Sequence, residues 1–205
     1  MIVPAGVHGA YKERKLSMFF GKRMVEIYHE IMQEYINEGD TVVDATAGNG
    51  FDTEFLCRLV GDSGCVHAFD IQKEALANTK LRLEASHMDS RAKLHLISHD
   101  QVEEYVREPI AGFCFNLGYL PKGEDNVVTQ ASTTIPAVRK CLNALKIGGV
   151  GCILAYWGHE GGREEMENVD ELLHELPGKF YEVFRLENHN RANQPPILYL
   201  IKKLR

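Results

Sequence analysis

The sequence predicts one α/β domain: a doubly wound, mostly parallel sheet of seven strands, with helices on both faces and an antiparallel hairpin at its C-terminal end. Three observations predict it. Short β-branched apolar runs alternate with amphipathic segments of helical period along most of the chain. The first such run breaks into a glycine-bracketed loop, "VVDATAGNG" at Val42 to Gly50. The last two runs are separated only by "HNRANQ", which is too short for a parallel crossover and so requires an antiparallel pair.

The elements follow in order. The first dozen residues carry no periodic pattern. Leu16 to Ile36 then sets Phe20, Met24, Ile27, Tyr28, Ile31, Met32 and Tyr35 at helical spacing, which predicts an entry helix. "TVVDATA" is too short and too β-branched for a helix and predicts the first strand. Beyond its glycine turn, Phe51, Phe55 and Leu59 repeat every four residues and predict an amphipathic helix. "CVHAFDI" predicts the second strand, Glu74 to Ser86 a helix, "KLHLIS" the third strand, and Val102 to Arg107 a short helix. "IAGFCFNL" predicts the fourth strand and "GYLPKGEDNVVT" a loop. Ala131 to Leu145 predicts a helix with Pro136 in its first turns, closed by the glycines of "KIGG" before the fifth strand, "VGCILAYW". A charged helix over Glu164 to Leu176 precedes the final strands, "KFYEVFRLEN" and "PPILYLIKK". The expected division is an N-terminal extension and entry helix at 1–38, then the main domain at 39–205.

Bulk properties narrow the function. A chain of 205 residues, 44% hydrophobic and 25% charged, holds one core comfortably and two poorly. A net charge of −6 argues against a general nucleic-acid coat, which needs clustered Lys and Arg. No apolar run approaches the ~18 residues that cross a bilayer, and Met1 to Ala10 lacks the pattern of a signal peptide, so a cytoplasmic protein without a membrane partner is expected. The five cysteines show no CxxC and read as buried free thiols. His95 and His99 have no third ligand nearby, so no metal site is expected.

The glycine loop aims unpaired backbone N–H groups at an anionic or carboxylate ligand. The dinucleotide fingerprint wants a third glycine where this chain has Thr53, and the strand here ends in an acid, Asp44; both details favour S-adenosylmethionine (SAM), whose ammonium Asp44 can receive directly or through water. Asp70 ends the second strand, where it can accept from ribose hydroxyls or cap the following helix, with Gln72 beside it. After the third strand, Asp100 suits the adenine amino group as an acceptor, and His99 either packs on that ring or caps the next helix. Gly48 and Asn49 shape the loop, and Asn49 tolerates a left-handed backbone. Asp52 is either a first-turn helix acid or a contact to the amino-acid portion of SAM.

The methyl acceptor belongs beyond the fourth strand, at "FNLGYLP". In enzymes that methylate amino nitrogens, an Asn or Asp followed by a carbonyl-exposing turn and an aromatic residue grips the nitrogen. Asn116, the Leu117 carbonyl and Tyr119 can fill those roles, although Leu117 and Gly118 replace the two prolines of the usual [DN]PP[YFW] pattern. His159 in "GHEGG" either contacts substrate, takes a proton, or shapes the glycine turn. Ser132, Thr133 and Thr134 read as helix caps or phosphate contacts. Lys12, Arg14, Lys15, Lys22, Arg23, Arg163, Arg185 and Arg191 are the basic candidates for RNA.

"VVDATAGNGFDTEFL", "AFDIQKEALANTK", "SHD", "FNLGYLPKGED", "WGHEGG" and "PPILYLIKK" together resemble a small bacterial family carrying the label rRNA methylase, the MnmM or YtqB-like methyltransferases. The resemblance spans roughly Gly39 to Lys203 and implies a Rossmann-like class I fold that uses SAM and releases S-adenosylhomocysteine. It further implies methylation of the exocyclic amine of 5-aminomethyl-(2-thio)uridine at the tRNA wobble position, with the anticodon stem-loop as partner. His189 and Asn190 stand where the family pattern has Asn and Gln. Rival expectations are an rRNA methyltransferase, a small-molecule or protein amine methyltransferase, and a SAM-binding module without turnover. The sequence sets no oligomeric state and leaves a homodimer open.

Overall fold

The computed structural model describes residues 19–118 and 128–205. Its centre is a seven-stranded sheet formed by β1 (Thr41–Asp44), β2 (Cys65–Asp70), β3 (Ala92–Leu96), β4 (Ile110–Leu117), β5 (Leu145–Ala155), β6 (Tyr181–Leu186) and β7 (Ile197–Lys203). The spatial order is β3-β2-β1-β4-β5-β7-β6. Every pair is parallel except those of β7, which runs against both β5 and β6. The expected hairpin is therefore present, with β7 inserted inside the sheet and β6 forming the edge. The chain starts at the middle, runs outward to β3, then crosses back to β4. That reversal opens a crevice beyond the carboxyl ends of β1 and β4, where ligands of such sheets bind.

Strand alternation sends side chains to two cores. On one face Val42, Val66, Cys114 and Leu154 meet α1 (Met24–Tyr35) and α2 (Phe51–Val60), with Leu83 of α3 (Lys73–Ala85). On the other, Val43, Phe113, Phe115 and Ile153 meet α5 (Ala131–Ala144) and α6 (Gly162–His174), with Val102 of the single-turn α4 (Val102–Tyr105). Ile27, Tyr28, Met32 and Ile36 of α1 belong to the first core, so this helix is part of the domain's packing.

Four local expectations are corrected. Helix α1 starts at Met24, and Phe20 is 82% exposed: the backbone of Arg23 is extended and its N–H donates to Glu26 at 2.7 Å, capping the helix there. Leu16 itself lies outside the described residues. Helix α2 buries Thr53, Leu56, Cys57 and Val60 in place of a Phe51 stripe, and Phe51 is 63% exposed. The loop sets this phase, because Gly50 caps α2 at φ +78° and a Cβ there would sit 2.8 Å from Thr79 Cα. "KIGG" does not close α5 as a turn. It bulges out of β5, whose ladder to β4 jumps from Ile110–Leu145 to Gly112–Val150. Finally, Thr133 bonds the Gln130 carbonyl and Thr134 bonds Glu165, so neither caps α5 through its backbone N–H groups.

All five cysteines are free, four of them buried and Cys65 half-buried. In the middle of β5, Gly151 leaves room for a neighbouring ring: a Cβ there would lie 2.6 Å from both Cε atoms of Phe113. Gly151→Ala should therefore cost about 1–3 kcal/mol by overpacking. Urea unfolding followed by circular dichroism measures this, and a loss below about half a kcal/mol would mean that Phe113 has another place to go.

Candidate active site

The glycine loop is held from below by α3. Gly48 (φ +53°) donates its N–H to Asp70 Oδ2 at 2.9 Å, and its carbonyl accepts from Thr79 Oγ1 at 3.0 Å. Asn49 accepts from Asn78 Nδ2 through its side chain and from Arg82 Nε through its carbonyl, at 3.0 and 2.9 Å. The Arg82 guanidinium lies 3.7 Å over the Phe51 ring and also bonds Glu54. The loop is thus fixed before any ligand arrives, which lowers the ordering cost of binding.

Asp44 is completely buried. Its two oxygens accept from Thr46 N–H at 3.1 Å and from Thr53 O–H at 2.6 Å. Burial, then the nearby Asp52 carboxylate, raises its pKa to about 7. Thr46 in turn accepts the backbone N–H of Asn116 at 2.7 Å, so Asp44 braces the end of β4 as well as α2. Asp70 accepts both the Gly48 N–H and the Gln72 N–H, each at 2.9 Å, which ties the second strand's exit to the loop. Gln72 precedes α3 without a side-chain capping bond.

At the exit of β3, His99 neither caps a helix nor stands free as a ring platform. It is buried, edge-on to Phe115, and its Nδ1 lies 3.0 Å from the Ala45 carbonyl. A carbonyl only accepts, so Nδ1 carries the proton; burial lowers the ring's pKa, leaving Nε2 as a bare buried acceptor. Asp100 Oδ1 is likewise buried without a hydrogen-bond donor, while its backbone carbonyl accepts from Lys140. Two unmet acceptors side by side fit a ligand that brings donors.

The acceptor end is built around Asn116. Its Nδ2 donates to Asp52 and, at 3.1 Å, to Tyr28 Oη. The other oxygen of Asp52 meets His29 Nε2 at 2.6 Å. Asp52 is therefore directed to the β4 side, towards Asn116, and α1 contributes two residues, Tyr28 and His29, that the sequence did not flag. The Leu117 carbonyl accepts from Tyr156 N–H in the sheet ladder and the Gly118 carbonyl from Thr129 N–H, each at 2.9 Å. The expected carbonyl-exposing turn is thus already engaged. Tyr119 lies outside the described residues. Tyr156, 46% exposed at the exit of β5, stands against Gly118 and is an aromatic that the sequence read as strand.

Below this end, Glu165 is 2% exposed and accepts from Thr129 at 2.6 Å and Thr134 at 2.5 Å. Thr129 also accepts from Gly118 N–H at 2.9 Å. Burial raises the Glu165 pKa against the pull of both hydroxyls. His159 bonds the Glu160 carbonyl and packs on Gly162, where a Cβ would lie 2.7 Å from its ring, so it does shape the glycine turn. Trp157 donates to the Pro195 carbonyl, and Gln194, at φ +45°, faces Gly158; the C-terminal loop closes this corner. Of the basic candidates, Lys22 pairs with Glu30, Arg163 with Glu167, and Arg185 with Asp170 and Glu187. Arg23 pairs with Glu26, while Lys12, Arg14 and Lys15 lie outside the described residues. Among the described residues no group of three His, Cys, Asp or Glu could hold a metal, and no helix is long and apolar enough to cross a membrane.

A glycine loop after the central strand, an acid ending the second and a fixed asparagine ending the fourth, on a sheet with a reversed seventh strand, define a class I methyltransferase. Solved structures agree: one from Clostridium thermocellum described as a "putative rRNA-methylase" superposes at TM-score 0.87 with 41% identity, covering 89% of this chain and 98% of that one. A "putative methyltransferase" of Streptococcus mutans in complex with SAH gives 0.83 and 38%, covering 89% and 99%. The chain belongs to the family described as "Putative rRNA methylase", whose model matches residues 66–202. It is also 35% identical over 196 residues to the chloroplastic tRNA (mnm(5)s(2)U34)-methyltransferase of Arabidopsis thaliana, covering 91% of this chain and 72% of that protein.

The buried Asp44 has a measurable signature. Its folded pKa of about 7 lies above the usual 3.8, so between about pH 4 and 7 the folded chain holds a proton that the unfolded chain has released. This contribution to stability is complete below about pH 4 and lost as pH rises through about 7. Asp44→Asn should make stability between pH 5 and 8 fall less steeply than in the wild type, as read from denaturant melts at both values. Parallel slopes would show that Asp44 does not titrate in this range.

Proposed function

We propose that the protein transfers a methyl group from SAM to the 5-aminomethyl group of the wobble (2-thio)uridine of tRNA. The observation that carries this reading is the state of Asn116: both Nδ2 hydrogens are held by Asp52 and Tyr28, which leaves Oδ1 to accept from an N–H donor at the end of β4. The family and the plant relative, a tRNA (mnm(5)s(2)U34)-methyltransferase, support an RNA substrate of this kind.

On this reading residues at the ends of β1 to β3 would hold the cofactor. Asp70 accepts from the ribose hydroxyls and Asp100 Oδ1 from the adenine amino group, with His99 Nε2 beside it as a second acceptor. Gly48 and Asn49 receive the amino-acid portion, Gln72 flanks the ribose, and Asp44 supplies negative charge near the ammonium. Bound SAM brings a methyl group already activated on a sulfonium, so the chain's own task is to orient the acceptor and exclude water. Asn116 Oδ1 takes one N–H of the neutral amine and turns its lone pair towards the methyl carbon. Tyr119, assigned to stacking by its place in the sequence, and Tyr156 flank the extruded base. His159 holds the floor of this corner.

Net acidity and the pairing of Arg163 and Arg185 suit a small footprint on the anticodon stem-loop better than broad RNA affinity. The scheme uses residues of one chain and is compatible with a homodimer.

Incubating the protein with SAM and tRNA whose wobble uridine carries the free aminomethyl group, then weighing the released nucleosides, should show one added methyl on that nucleoside. No gain there, with a gain on rRNA or a small amine, would overturn the assignment. Asn116→Ala should lower kcat by about a hundredfold while leaving cofactor affinity near wild type. SAM affinity, followed by calorimetry, should weaken roughly tenfold per unit as pH falls below about 7, since a cation binds best once Asp44 has lost its proton.

A further inference from the structure

The amine on this reading arrives as an ammonium, because alkylamines hold their proton well above neutral pH. An ammonium has no lone pair with which to attack, and an amide such as Asn116 is too weak a base to free one. Asp44 is completely buried, and the groups its oxygens bond, the Thr46 N–H and the Thr53 hydroxyl, are not bases that could carry a proton onward. His99 is tied to Ala45 beyond the exit of β3.

We propose that Asp52 and His29 form a proton relay that frees the substrate amine for methylation. The inference rests on the amine reading above. One carboxylate joins the acceptor asparagine to an imidazole: Asp52 Oδ2 meets Asn116 Nδ2, and Asp52 Oδ1 lies 2.6 Å from His29 Nε2. The imidazole is held in plane, stacked on Phe55 at 3.8 Å between centroids and 9°, and edge-on to Tyr28 at 4.7 Å. The two ends differ in access. Asp52 is buried, whereas the His29 side chain is 24% exposed, so a proton taken inside has an outlet to solvent.

The step balances. The ammonium N–H bond breaks and its electron pair stays on nitrogen; the proton passes to Asp52 and from Asp52 to Nε2 of the Nδ1–H tautomer of His29, the imidazolium gives its Nδ1 proton to water, and water-mediated exchange of the remaining ring proton from Nε2 back to Nδ1 resets the pair. The nitrogen lone pair then forms the N–C bond as the C–S bond breaks with its pair remaining on sulfur. The product leaves as a secondary ammonium, so the relay carries one proton per turnover. Asp52 is the acceptor at the amine, and His29 is a positioning residue that acts through it. Among the described residues, the titratable groups facing the pair are Asp44 on β1, Cys114 on β4, Cys152 and Tyr156 near the end of β5, and Tyr28 on α1, with Arg23 acting on Tyr156.

Single-turnover methylation of tRNA carrying the free aminomethyl group, measured from pH 6.5 to 10, tests the relay. Wild type should rise with pH less steeply than a variant that has lost the relay. His29→Gln should be slower by at least about tenfold at pH 7.5 and should climb roughly tenfold per pH unit as solvent takes over the deprotonation, while added imidazole should restore part of the rate in His29→Gly. Melting temperature and affinity for S-adenosylhomocysteine establish that each variant is folded; if His29→Gln is not, Asp52→Asn carries the same pH test. A His29→Gln enzyme with the wild-type profile overturns the relay. So does a uniform loss at every pH without imidazole rescue, which marks a strut between helices, or a shifted profile in His159→Gln alone. Wild-type protein that leaves the aminomethyluridine unmethylated overturns the proposed function itself, and the relay with it.

Discussion

A buried carboxylate at the end of the central strand ties the molecule together. Asp44 holds Thr53 at the start of α2 and Thr46 in the loop, and Thr46 holds the backbone of Asn116 at the end of β4. The glycine loop and Asn116, which come from opposite halves of a doubly wound sheet, are thereby registered on one side chain. Burying a carboxylate is unfavourable unless its oxygens are satisfied; here burial and the nearby Asp52 raise the pKa, and the bonds from two threonines pull it back only in part. The same acid reinforces the phase that the Gly50 turn gives α2: Thr53 is bound inward and Phe51 is left outside.

Acids gather along the crevice. Asp44, Asp52, Asp70 and Asp100 end or follow β1 to β3, and no arginine or lysine side chain bonds any of their carboxylates among the hydrogen bonds and ion pairs of the described residues. Self-repulsion of this kind is relieved by a positive ligand. A sulfonium and an alkylammonium are both cations, which gives the chain's net negative charge a local meaning in place of a general one.

The fold was largely legible because each strand is a short apolar run punctuated by glycine or acid, and period alone separates it from the helices. Phase and boundaries were less so. Phe20 and Phe51 look like core residues at helical spacing, but the Arg23–Glu26 cap and the Gly50 turn override the pattern. In the candidate site, Asp44, Asp70 and Asp100 could be placed by counting from strand ends. His29 and Tyr28 could not, because they precede the glycine loop and reach Asn116 only through tertiary packing across 88 positions of sequence in the case of Tyr28. Thr129 and Glu165 were hidden for the same reason. The "HEGG" glycines marked that region, yet the polar clasp joining it to Gly118 appears only once β4 and α6 are side by side.

That clasp has a wider consequence. Gly118 and Thr129 exchange two hydrogen bonds through backbone and hydroxyl, and Glu165 anchors the pair from below, so the exit of β4 and the entry to α5 are riveted at one point. The exit of β4, the entry to α5 and the first turn of α6 therefore answer to one buried carboxylate, and a change at Glu165 is felt at the end of β4 through Thr129.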